Sequence, residues 1–127
     1  MTKILLVMAG GAVGAGLRYL CGRLAGHMAP GAVWPWGTFA VNLIGGFAMG
    51  ALAGWLARGN AGAGESLRLL LAVGLLGGFT TFSAFSLETL LMIERGQSGL
   101  AVAYALASVA GGVSALALGL FVVRVAA

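Results

Sequence analysis

Charged side chains interrupt this chain so rarely that four long stretches contain none: residues 4–17, 28–57, 69–87 and 96–123. A helix of about 20 apolar residues is what crosses the roughly 30 Å hydrocarbon core of a bilayer. In lipid every backbone N–H and C=O must be satisfied inside the segment, so such a chain has to become a bundle of spanning helices. Charged residues are 8% of the chain, against about 25% in soluble domains, which argues against a soluble fold. Four spans of about 20 residues use most of the 127 available and leave only ends and turns. A single transmembrane domain, residues 1–127, is expected to carry the whole function.

The first run becomes a full span only if it includes Arg18, which places helix 1 at residues 2–24. Helix 2 follows the turn between Pro30 and Pro35 and ends near Arg58; the glycine-rich stretch 59–65 is a turn. Helix 3 is expected over 66–94 and helix 4 over 98–125. The apolar pattern continues through Leu20, which argues against a cleaved leader. Small residues recur every four positions: Gly10 and Gly14; Gly46, Gly50 and Gly54; Ala103, Ala107, Gly111, Ala115 and Gly119. In membranes such spacing lets helix backbones approach closely. It serves packing within one chain and packing between subunits equally well.

Net charge is +4, but the basic residues stand singly between apolar runs, so nucleic acid is not the expected partner; a lipid membrane is. Alternating spans put Lys3, Arg58, Arg68 and Arg124 on one side and Arg18, Arg23 and Arg95 on the other. Four against three barely selects an orientation. Insertion in both directions follows, and with it an antiparallel homodimer. Three Glu and no Asp exclude an acidic calcium cage. The lone Cys21 and lone His27 give neither a disulfide nor a His/Cys metal site.

The least ordinary stretch is GLLGGFTTFSAFSLE, residues 74–88. Glycines followed by paired threonines and serines weaken a helix interior, so helix 3 is expected to break there, with Gly77 and Gly78 opening it. Broken backbone at membrane depth has to be buried by protein or border a cavity, where freed carbonyls hold a cation and freed amides an anion. Phe79, Phe82 and Phe85 recur every three residues among Thr80, Thr81, Ser83 and Ser86. The ring edges are weakly positive and favour an anion without trapping it, while hydroxyls replace part of its water. Asn42, one turn after Thr38, offers an amide either to an anion or as interhelical hydrogen-bond glue. Arg18 and Glu88 are the charges nearest membrane depth and hence candidates, although Arg18 can also snorkel to lipid phosphate. Tyr104 and Ser108 lie four apart on one face of helix 4.

Four segments together resemble the Fluc (CrcB) family of small fluoride channels over essentially the whole length: GGAVGAGLRY at 10–19, WPWGTFAVNLIGGF at 34–47, GGFTTFSAFSLE at 77–88, and the glycine- and serine-bearing fourth helix. The resemblance implies an all-α membrane protein of four transmembrane helices with a broken third helix. It also implies a dual-topology antiparallel homodimer in the inner membrane, with two pores that export fluoride passively from the cytoplasm. Carried over residue by residue, Phe82 and Phe85 look like the pore phenylalanines and Asn42 like the pore asparagine. Gly77 and Thr80 look like the positions whose carbonyls hold a structural sodium ion at the dimer interface. Thr81, Ser83, Tyr104 and Ser108 look like polar lining, and Arg18 and Glu88 match the family pattern.

Two other classes deserve comparison. A proton-coupled small multidrug transporter needs a carboxylate deep in helix 1, and none is present. A noncatalytic assembly subunit suits the glycine repeats but leaves Asn42 and the Phe/Thr/Ser mixture without a task. No nucleophile and base are arranged for catalysis, and no phosphate-binding loop for ATP-driven pumping.

Overall fold

The computed structural model describes residues 1–59 and 61–126, the side chains of residues 61–63 excepted. Helix α1 (Thr2–Met28) is followed by α2 (Trp36–Leu56), α3 (Ala61–Leu67), a π-helical segment (Arg68–Leu76), α4 (Gly77–Phe79), α5 (Phe82–Glu94) and α6 (Ser98–Val125). From α3 to α5 the chain forms one bent span, Gly64–Glu94, so among the described residues four helical stretches are long and apolar enough to cross a membrane.

The second and fourth spans begin and end close to their sequence expectations, and the other two depart from them. α1 continues past Arg23 to Met28. At 27 residues it is about 40 Å long, which exceeds the hydrocarbon thickness, so basic residues of its last turns need not interrupt it. The turn expected over 59–65 is shorter: Gly59 reverses the chain at φ +89 and helix resumes at Ala61, alanine being the strongest helix former. Asn60 of that turn lies outside the described residues. At the far end, α5 closes with Gly96 at φ +78, its N–H donating to Ile93 O and the Gln97 N–H to Met92 O. These paired bonds satisfy the last carbonyls and turn the chain directly into α6.

The glycine stripes are spent within the chain. A Cβ on Gly50 would lie 1.9 Å from Leu116 O and one on Gly119 2.1 Å from Phe47 O, so α2 and α6 meet backbone to backbone. Likewise a Cβ on Gly10 would lie 2.2 Å from Leu70 O and one on Gly14 2.1 Å from Leu75 O, which seats α1 on the π-helical segment. Gly77 and Gly78 do not open the third span, contrary to expectation. Both are helical, and Gly78 is a contact point against Gly11, whose O a Cβ would meet at 2.6 Å. The break falls three residues further on.

A small core of Met92, Ala101 and Tyr104, with Trp34, Phe39, Phe85 and Leu100 against it, ties the α1–α2 connection to α5 and α6. Ile4, Leu20, Leu106, Val113 and Phe121 point outward. Their exposure is what contact with lipid or a second subunit requires.

Candidate functional site at the broken third span

The paired threonines make the break. Thr80 (φ −80, ψ 158) and Thr81 (φ −150, ψ 118) are both extended, a conformation β-branched residues favour. Their hydroxyls finish one helix and start the next. Thr80 Oγ1 donates to Leu76 O at 2.9 Å, and Thr81 Oγ1 accepts the Ala84 N–H at 3.2 Å as the N-cap of α5.

Asn42 of α2 closes the gap from the side. Its Oδ1 accepts the Thr81 N–H at 2.8 Å and its Nδ2 donates to Thr81 O at 3.0 Å, pairing with this one residue as a neighbouring strand would. In an unbroken helix the Thr81 N–H would serve Gly77 O and the Ala84 N–H would serve Thr80 O. Both donors go to side chains instead, so the Gly77 and Thr80 carbonyls are released from those bonds. Arg18 Nη1 reaches Thr80 O at 3.4 Å, which places its guanidinium at the middle of the third span rather than at an interface. Backbone carbonyls suit hard cations. The two released oxygens are of that kind, and Thr80 O also accepts from Arg18.

The three phenylalanines separate at the break. The extended Thr80–Thr81 step resets the helical register, so Phe79 is buried while Phe82 is 79% exposed. Phe85, half-buried, lies between Phe82 (centroids 5.6 Å apart) and Tyr104 (5.2 Å). Asn42, Thr80, Thr81 and Phe82 line one depression of about 200 Å3. Thr81 is nearly buried, and its Oγ1 lies 3.3 Å from Ser83 Oγ.

A second polar group forms one to two turns along α5. Glu88 accepts hydrogen bonds on Oε1 from Thr38 Oγ1 of α2 and on Oε2 from the hydroxyl of Tyr104 of α6, the latter at 2.9 Å. Tyr104 is fully buried, flanked by the rings of Trp34 (5.3 Å) and Phe85. A depression of about 380 Å3 opens beside Glu88 and Thr38, walled by Gly22 and Ala25 of α1 and by Trp34 and Gly37. Ser108 is not joined to either group; its Oγ is buried and has no hydrogen-bond partner among the described residues. Sequence reasoning noted Thr38 only as a neighbour of Asn42 and missed its pairing with Glu88. A carboxylate at depth needs donors from facing helices, and Thr38, on one face with Asn42, was the available signal. Among the described residues no cluster of His, Cys, Asp or Glu is suited to a metal.

Four apolar spans, one of them interrupted and re-satisfied by a polar side chain at membrane depth, define a small multi-pass helical membrane protein. The chain belongs to the CrcB family: the family described as "CrcB-like protein, Camphor Resistance (CrcB)" matches residues 5–120. It is 60% identical over 125 residues to the fluoride-specific ion channel FluC of Novosphingobium aromaticivorans, with 98% of each chain covered. The FluC of Caulobacter vibrioides is 57% identical over 126 residues, covering 98% of this chain and 97% of the relative. That of Sphingopyxis alaskensis is 50% identical over 125 residues, with the same coverage.

Proposed function

We propose that this protein is a fluoride-selective ion channel that lets fluoride leave the cytoplasm down its electrochemical gradient, as an antiparallel homodimer with two pores in the inner membrane. It is a transporter, not an enzyme. Relatives matched over nearly their full length are named fluoride-specific channels. The observation that carries the reading is the juxtaposition of Asn42, extended Thr80–Thr81 and exposed Phe82 around one depression.

Fluoride is small and strongly hydrated, so a passive pore has to replace its water without holding it too tightly. Phe82 and Phe85 supply ring edges, which attract an anion weakly. The remaining Asn42 N–H and the hydroxyls of Thr81, Ser83 and Ser108 supply donors, and the unpartnered Ser108 Oγ has its hydrogen to spare, whereas the Tyr104 hydrogen is committed to Glu88. Phe82, so exposed in one copy, is completed as a wall by the second copy. A structural sodium ion at the dimer interface is assigned to the Gly77 and Thr80 carbonyls of each copy. Bound there, it supplies fixed positive charge that offsets the cost of an anion in a low-dielectric region.

Purified protein reconstituted into liposomes loaded with fluoride tests the reading. Rapid fluoride release with chloride retained is expected. A well-folded preparation that releases no fluoride, or releases both ions alike, overturns it.

A further inference from the structure

We infer that Asn42 is a positioning residue for the cation site, holding the third span open at Thr81 and so keeping the Gly77 and Thr80 carbonyls out of the helical ladder. This rests on the assignment of those carbonyls to sodium.

Three features of the seam argue for it. First, Asn42 uses its carbonyl oxygen and one amide hydrogen on the same residue, meeting the Thr81 N–H at 2.8 Å and Thr81 O at 3.0 Å. Only one N–H remains for any other partner. Second, Thr81 is nearly buried, and both its backbone N–H and its backbone O are paired with Asn42. Without that amide, the cheapest repair is to return the Thr81 N–H to Gly77 O and close the helix. Third, the released carbonyls are those whose regular donors are taken by side chains, at Thr81 by Asn42 and at Ala84 by Thr81 Oγ1. Asn42 thus acts on the cation through one backbone residue, at a distance from its own side chain.

The proposal separates two effects that loss of flux alone merges. Asn42→Ala, Asn42→Asp and, as a pathway control, Phe85→Ile would be purified and compared with the unmodified protein by two readouts besides flux. One is hydrogen exchange at the amides of 81–84; the other is the sodium concentration giving half-maximal thermal stabilisation. Asn42→Ala should leave the Thr81 amide protected, now by Gly77 O, and add protection at the amides of 82–84 as the helix closes, and should raise the half-saturating sodium concentration by about tenfold, the scale of a lost buried hydrogen bond. Asn42→Asp keeps the shape and the acceptor for the Thr81 N–H and loses the donor to Thr81 O. It should fall between, and it carries the test if the alanine variant does not fold. Phe85→Ile should lose fluoride flux with sodium dependence unchanged. Asn42 variants that lose flux while exchange and sodium dependence match the unmodified protein overturn the inference and leave Asn42 as an anion contact. Unmodified protein that conducts fluoride without any sodium-dependent stabilisation overturns the cation assignment while leaving the channel reading intact.

Discussion

At the residue scale, aromatic side chains three positions apart have unlike surroundings because two threonines between them leave the helix. Phe79 belongs to the packing between the third span and α2, where its ring lies 3.3 Å from the position a Cβ on Gly45 would take. Phe82 and Phe85 belong to the proposed pathway. Phe82→Ile and Phe85→Ile keep apolarity, lose some bulk and remove the ring edges. Each should cut fluoride flux by about tenfold or more, the scale of one lost aromatic contact, with dimer yield on gel filtration unchanged. Wild-type flux in both would remove the rings from the pathway. Phe79→Leu should do the reverse, lowering the thermal unfolding midpoint while the protein that remains folded conducts. Tyr104→Phe strips Glu88 Oε2 of its donor inside a buried cluster. A loss of about 1–3 kcal/mol is expected, read as a lower unfolding midpoint in detergent, and an unchanged midpoint would show that water replaces the hydroxyl.

At the element scale, the glycines set which helices pair. A side chain on Gly50 or Gly119 has to displace backbone of the opposing helix, since the first Cβ atom alone would sit about 2 Å from a carbonyl oxygen. Gly50→Leu and Gly119→Val are therefore expected to abolish folded protein, judged by loss of a monodisperse gel-filtration peak. Gly99→Ala, where a Cβ meets nothing within 4 Å, should be neutral or stabilising by up to about 1 kcal/mol. Much at this scale was legible. Close backbone approach at every-fourth glycines and the limits of α2 and α6 follow from small-residue spacing and apolar length, whereas which helices the glycines join, and that they join them within one chain, came only from the structure. The position of the break was legible only to within the stretch 74–88, because glycine and threonine both weaken helices. What decided between them was the facing helix: Gly78 is held helical by contact with Gly11, whereas Thr81 is held extended by Asn42. The π-helical segment was not legible. RLLLAVGLL carries no sign of an i→i+5 ladder, and nothing in that sequence distinguishes it from an ordinary apolar helix.

At the scale of the whole molecule, the structure changes the charge arithmetic on which dual insertion rests. Arg18 points to Thr80 O at the centre of the third span, so it no longer counts among residues flanking the membrane. Lys3, Arg58, Arg68 and Arg124 then stand at one end against Arg23 and Arg95 at the other, four against two. Lys3 is also partly neutralised by Glu65, 2.8 Å away, although the pair is exposed and acidic residues weigh little in orientation. On the proposed dual insertion, a bias this small should be tipped by changing charges at either end. Reporter fusions at the C-terminus should show both orientations for the unmodified chain. Arg95→Gln, leaving four against one, should shift the population toward the Lys3 end in the cytoplasm, and Lys3→Gln combined with Arg58→Gln, Arg68→Gln and Arg124→Gln, leaving none against two, should shift it the opposite way. If the channel is an antiparallel pair, each charge variant expressed alone should yield little active protein, because most copies lack an inverted mate. Co-expression of the two variants should restore fluoride efflux to cells that lack it. Full activity from a variant locked in one orientation would exclude the antiparallel pair and require both pore walls to come from copies inserted the same way.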